Sequence, residues 1–347
     1  FSENRLGLIE WRLNQINRAK TRFLNVAKHA DSLNLNKLSI NGYNNLGLME
    51  WEQRNVYQAI EAFKKCFEII GITEDELLAN IFDKLKINDL PTLSNLALAY
   101  QNLGQLNKAK QLFQANINAA RKLNDHKQEA KGLSSLAGIL IEQSQLDEAQ
   151  NLLYQTTSDK FINQISNWWK IQVQHQFGKI YHNLSMLDVS ANHYLNALQL
   201  ADATNYKSHR INTLLKLYEL KPKAQLSQTW LSEAQSLIKD TKLPKFEARI
   251  YRLLAAQAAT NKSYAESEKL LIEARKTLKD KHQIIGHAQT VMQLAQLYQQ
   301  QGLHIKAVNT LHPLLESLPQ GIDKLLVNQI YNSLAYNQWK AGIKPQA

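Results

Sequence analysis

A large apolar residue followed by a small one returns along this chain at nearly constant intervals. The stretch LGLIEW, Leu6 to Trp11, recurs forty residues later as LGLMEW, Leu46 to Trp51. With the small residue as marker, the series is Gly7, Gly47, Ala97, Ala137, Gly178, Ala255, Ala295 and Ala335, in steps of 40, 50, 40, 41, 77, 40 and 40. The 77-residue step reads as two repeats with a degenerate unit between them, around Ile211 to Ile238 and within about residues 206–245. Three further columns keep the register. Just before the marker stand Leu6, Leu46, Leu96, Leu136, Phe177, Leu254, Leu294 and Leu334. Twelve residues after it stand Ala19, Ala59, Ala109, Ala149, Ser190, Ser267, Ala307 and Ala347, and sixteen after it Phe23, Phe63, Phe113, Leu153, Tyr194, Leu271 and Leu311.

These columns predict a helical hairpin. Small residues on two antiparallel helices let the helices approach closely, and the large residue packs into the seam between them. Seven residues after the marker, Gly104, Gly302 and Gly342 fit the left-handed position that ends a helix. One hairpin cannot bury its apolar face alone, so neighbours must stack. The expected fold is all-α, a right-handed superhelical solenoid of about nine antiparallel helix pairs running as one array over residues 1–347. The 50-residue step places ten extra residues near Gly71 to Pro91, where Thr73 and Glu76 have capping-box spacing and predict a short extra helix. The register begins inside a first helix and stops at Ala347, where a second helix is due, so both ends read as cut from a longer protein.

The columns resemble the tetratricopeptide repeat: the Leu-Gly pair, the aromatic at Tyr100, Tyr181 and Tyr298, the Ala and the Phe. The resemblance covers essentially the whole chain. A 40-residue period exceeds the usual 34 and implies longer helices. It is similar to the long-repeat subgroup of kinesin light chains, G-protein-signalling-modulator adaptors and many bacterial regulators, above all along Ala120 to Leu140. The resemblance implies a non-catalytic scaffold that binds partners in a concave groove lined by first helices.

Composition agrees with helices and narrows the chemistry. Twelve Gly and six Pro in 347 residues are too few for a turn-rich β protein. The single cysteine, Cys66, excludes a disulfide framework and multi-cysteine metal sites, and its place on a second helix near Phe63 reads as a packed, inert thiol. No run of 18 apolar residues predicts a membrane span. Lone cysteine and the lack of a visible signal segment point to the cytoplasm. No catalytic motif is present, and no cofactor or metal is expected.

Several residues are candidates for recognition. Trp11, Trp51 and Trp339 share one column, four residues after the marker, and are either groove anchors or packing between repeats. His175, Lys179 and His182 follow i, i+4, i+7 spacing on one helix face and read as an anion site, a pH-sensitive histidine pair, or a solvated face. Two turns, about 10 Å, separate the histidines, too far for a tight metal pair. Of the adjacent Trp168 and Trp169, at least one is expected to be buried. The resemblance also brings in the two-carboxylate clamp of chaperone receptors. Asn44, Asn45 and Asn95 match its asparagines, but its Lys and Arg are missing, which disfavours a chaperone C-terminus as partner. Residues 201–283 hold 16 Lys+Arg and 9 Asp+Glu, so +7 of the net +11 lies there. Lys221, Lys223, Lys245, Arg249 and Arg252 form this candidate basic patch for an acidic partner or nucleic acid, the latter disfavoured by the lack of a per-repeat code. The expected partner is a protein or peptide, an effector domain of the same polypeptide included. A small-ligand sensor and a nucleic-acid binder are the alternatives.

Overall fold

The repeat columns become a helix seam. The computed structural model describes residues 2–13, 15–53, 55–81, 83–220, 226–241, 243–278, 284–318 and 324–343. Among them are nineteen α-helices, one 3-10 turn and no strand. The chain divides into two compact units, residues 1–169 and 170–347. In unit 1, α1 (Ser2–Arg12) pairs with α2 (Ile16–Ser32), α3 (Asn36–Glu52) with α4 (Val56–Ile69), α6 (Leu90–Asn102) with α7 (Leu106–Lys122), and α8 (His126–Glu142) with α9 (Leu146–Thr156). Two short helices, α5 (Glu74–Leu78) and α10 (Asp159–Ile162), are added to this stack. Helix α11 (Asn167–Asn183) contains the division and packs on α12 (Leu187–Ala203). In unit 2, α13 (Lys207–Leu220) pairs with α14 (Ser227–Thr241), α15 (Pro244–Thr260) with α16 (Tyr264–Thr277), and α17 (Ile284–Gln300) with α18 (His304–Ser317), followed by α19 (Lys324–Lys340).

The marker is small because its partner is large. A Cβ added at Gly7, Gly47 or Gly178 would stand 2.5–2.6 Å from the ring of Phe23, Phe63 or Tyr194. The column twelve residues on is equally tight: Ala19, Ala59, Ala109, Ala149 and Ala307 are fully buried. Where that column holds serine, its hydroxyl donates to the marker's own carbonyl, Ser190 to Gly178 (2.7 Å) and Ser267 to Ala255 (2.9 Å). These bonds satisfy a polar group that the seam would otherwise strand.

The degenerate unit keeps this seam with the sizes exchanged. In α3 and α8 the marker lies thirteen residues after a left-handed asparagine, Asn34 or Asn124. Left-handed Asn205 opens α13 in the same way, which assigns the marker to Tyr218, 5% exposed. Sixteen residues on stands fully buried Ala234, and both belong to one buried cluster. A large first-helix residue facing a small second-helix residue fills the same space in reverse.

Hairpin turns are equally regular. Seven residues past Ala97, Ala137, Gly178, Ala255, Ala295 and Ala335 stand Gly104, Ser144, Ser185, Lys262, Gly302 and Gly342, all with φ of 60–73°. Each is followed by an N–H that donates to the carbonyl five residues back, the 6→1 bond of a Schellman cap. In the insertion, Thr73 accepts from the Glu76 N–H while the Glu76 carboxylate accepts from the Thr73 N–H (2.7 Å). The box holds α5 so that Glu74 meets Lys64 of α4 (3.1 Å), Tyr100 of α6 (2.5 Å) and Lys108 of α7 (2.9 Å).

Two stability experiments follow. Tyr218→Ala is expected to lose about 3 kcal/mol in urea unfolding, and adding Ala234→Phe to recover a substantial part of it. Gly302 and Lys262 hold the same left-handed turn, and a Cβ at Gly302 meets nothing within 4 Å. Gly302→Ala is therefore expected to cost about 1 kcal/mol through backbone strain alone, and Lys262→Gly to raise stability by about 0.5 kcal/mol.

Candidate functional site

Within each unit successive first helices touch: α1 with α3, α3 with α6, α6 with α8, and again α13 with α15, α15 with α17 and α17 with α19. Successive second helices make no contact of comparable extent. First helices therefore crowd together on an inner face and second helices splay on an outer one. Polar side chains bridge the crowded face. Trp11 Nε1 donates to Glu52 (2.6 Å), Asn45 Nδ2 to Asn4 (3.0 Å), and Thr92 Oγ1 and Asn95 Nδ2 both to Asn44 Oδ1 (3.2 and 3.5 Å).

The two units differ in how buried charge is matched. In unit 1 the fully buried charges are the carboxylates Glu50 and Glu129, each of them matched, while half-buried Lys131 lies over the Trp169 ring. Glu50 pairs with Lys20 and accepts from Asn55 Nδ2 (2.7 Å). Glu129 meets Arg121 (2.7 Å) and Lys160 (2.9 Å). Burial alone would raise Glu74, but Tyr100, Lys108 and Lys64 outweigh it and bring its carboxyl down to about 2.

In unit 2 half-buried Glu233 and Glu268 are paired with Arg210 and Lys306, but a group of half-buried cations is not fully matched. Lys216 of α13 and Arg249 and Arg252 of α15 share one carboxylate, Glu219, and Lys179 of α11 adds its charge beside Lys216. Arg249 takes that carboxylate with two parallel bonds, Nε to Oε1 at 2.8 Å and Nη2 to Oε2 at 2.5 Å, and reaches Asn212 Oδ1 at 2.9 Å. Arg252 donates Nη1 to Gln289 (2.6 Å), while its buried Nε has no acceptor among the described residues. Lys216 has no hydrogen bond or ion pair there either; its ammonium lies 5.5 Å from the centre of the Tyr194 ring. Burial first, then the Arg249 and Lys179 charges, bring Lys216 down to about 8 against the pull of Glu219. Burial and Arg249 lower Arg252 as well.

His175 sits beneath this cluster as a core residue, 6% exposed, with its ring edge-on to Tyr194. Its Nε2 lies 2.8 Å from Thr213 Oγ1, and that hydroxyl donates onward to the His209 carbonyl (2.8 Å). Thr213 must therefore accept, so Nε2 carries a proton. Burial, then Lys216, pushes its pKa down to about 3. The i, i+4, i+7 grouping thus splits: Lys179 and His182 are exposed, whereas His175 neither faces solvent nor charges near neutrality.

The other candidates take varied places. Trp11 is half-buried, edge-on to Phe23 at 6.3 Å, and Trp51 is half-buried. Trp339 is 69% exposed with Lys340 over its ring at 4.4 Å. Neither Trp168 nor Trp169 is buried; the two pack edge to face, and Lys131 lies over Trp169. Lys245 is exposed over Phe246, and Lys221 and Lys223 lie outside the described residues. Cys66 is buried, and burial pushes its thiol up to about 12. Among the described residues no group of His, Cys, Asp or Glu could hold a metal, and no helix is long and apolar enough to cross a membrane.

Lys216 is the residue that sequence reading missed. Counting thirteen on from Asn205 would have placed it two residues before the marker, in the column of Asn45, Asn95 and Gln293. Gln293 joins the cluster to a cleft, donating to the Arg252 carbonyl (2.9 Å). The cleft, about 210 Å³ and lined by Ala255, Ala259, Leu271, Leu297 and Gln300, has room for a side chain rather than a whole ligand.

An unpaired, half-buried ammonium lowers stability. Lys216→Met is expected to raise it by on the order of 1 kcal/mol at pH 7, read from urea unfolding. A lysine lowered from 10.5 to about 8 destabilises the fold fully below pH 8, and this penalty fades by pH 10.5, where the unfolded lysine is neutral too. The gap between variant and parent is therefore expected to close across that window.

Residues 89–158 and 40–71 match family models described as tetratricopeptide repeat. No curated protein matches the chain in sequence. Among solved structures, the apo form of the quorum sensor NprR from B. thuringiensis aligns with a TM-score of 0.66 at 14% identity, over 91% of this chain and 86% of that one. Aspartyl phosphate phosphatase F from Bacillus subtilis gives 0.64 at 13%, over 88% and 77%. A Rap protein complexed with competence and sporulation factor gives 0.61 at 13%, over 91% and 85%. At such identities the likeness is one of fold. Repeat register, seam and matching models agree: residues 40–71 and 89–158 match the tetratricopeptide repeat, and the helical-hairpin register continues beyond them.

Proposed function

We propose that this chain is a non-catalytic recognition module that binds a peptide or protein segment on the inner face of its first helices. We place it as the sensor or regulatory arm of a larger bacterial signalling or transcription-control protein, acting in the cytoplasm. The observation that carries the reading is the cation cluster of unit 2: the Lys216 ammonium and the Arg252 Nε–H, desolvated and without hydrogen-bond partners among the described residues, are unfavourable in the free protein and become favourable only when a ligand supplies the missing groups. Asn212, Gln289 and Gln293 beside it have the donors and acceptors that a peptide backbone needs. Fold likeness supports the same reading, since one neighbour is a quorum sensor and another is a Rap protein in complex with competence and sporulation factor. Nucleic acid is disfavoured because Arg249 and Arg252 are tied to Glu219, Asn212 and Gln289 rather than arrayed along a surface.

The reading is tested by selecting from a phage-displayed random peptide library on the intact chain. Enriched peptides are expected to bind with affinities on the order of micromolar. Gln293→Trp, which fills the inner face without altering charge, should weaken them at least about tenfold while circular dichroism stays helical. If nothing is enriched over selection on an unrelated helical-repeat protein, the peptide-binding reading fails.

A further inference from the structure

We propose that the inner face of unit 2 around Lys216, Arg249 and Arg252 receives a carboxylate borne by the peptide ligand, which completes the charge balance that Glu219 leaves open. This rests on the peptide-binding reading above and names the chemistry it selects. Lys216 is faced by His175 and Lys179 from α11, Tyr194 from α12, Glu219 on its own helix and Arg249 from α15, with His209 acting on His175 from the start of α13. His175 is kept neutral by burial and by the neighbouring Lys216 charge, and Glu219 is occupied by Arg249. Among the described residues Glu219 is the one carboxylate acting on Lys216 and it is already taken by Arg249, while the Arg252 Nε–H has no acceptor.

The geometry favours a carboxylate on a peptide over a nucleic-acid backbone. Arg249 already grips one carboxylate by a parallel pair of bonds, the geometry a guanidinium selects. The cations gather at one recessed locus, where a strand of phosphates would need a spaced row. Beside them the cleft at Gln293, Ala255 and Leu297 has room for an apolar side chain of the same ligand.

Binding should also depend on pH. Lys216 is charged below about pH 8 in the free protein, and a bound carboxylate would hold the proton more tightly. Affinity therefore falls as pH rises above 8, because binding then requires proton uptake.

The test measures fluorescence polarisation of three labelled hexapeptides with the intact chain. The first carries glutamates and an amidated C-terminus, the second carries only uncharged residues and a free C-terminal carboxylate, and the third is the second amidated. At least one carboxylate probe is expected to bind about tenfold tighter than the uncharged peptide, and which one does so identifies whether a side chain or the chain end is read. Lys216→Met should abolish most of that advantage. Lys216→Arg should retain it yet lose the weakening between pH 8 and 10. Equal binding of all three probes, or an advantage that survives Lys216→Met, overturns the proposal, while library-selected peptides that still bind leave the broader reading intact. Binding of oligouridine alone, with the same dependence on Lys216, overturns both.

Discussion

The close approach of paired helices is the constraint on which everything else in this protein depends. At Gly7, Gly47 and Gly178 a ring from the second helix occupies the space that a Cβ would take on the first, so size is fixed at both positions of the seam. Once the seam is fixed, the turn after the first helix must pass through a left-handed residue. Hence the turn is conserved in geometry even where serine or lysine replaces glycine. The seam also sets which face of the first helix remains for contact with neighbouring first helices. That leftover face is where the polar bridges and the cation cluster lie.

Charge placement separates the two units more clearly than their packing does. Buried carboxylates in unit 1 are enclosed by two cations or by a cation and an amide, so their desolvation is compensated within the protein. Such networks hold helices from different repeats together, as Glu74 does for α4, α6 and α7. Unit 2 leaves Lys216 and the Arg252 Nε uncompensated on its inner face.

Much of the fold was legible because the repeat columns are steric. Gly47 and Phe63 announce a seam wherever they fall sixteen residues apart, and Thr73 with Glu76 announces a helix start. The degenerate unit was not legible in this way, since Tyr218 and Ala234 exchange sizes and a search for a small marker passes over them. The candidate site suffered for the same reason. Lys216 lies in that unit, so its column was invisible, whereas Arg249 and Arg252 were noticed only through the charge of residues 201–283. His175 was misplaced because i, i+4, i+7 spacing defines a helix face without saying which neighbour covers it. Helix α13, through Thr213, covers His175.

By itself the sequence determined the helical repeats, their length and their seam, because these follow from residue size at fixed spacing within about forty residues. Only the tertiary structure decided which charges are compensated and which are not. That depends on side chains that meet from different repeats, such as Arg249 with Glu219 thirty residues away and His175 with Thr213 thirty-eight away. No local spacing rule relates such pairs, and the desolvation that gives them meaning exists only once the helices are stacked.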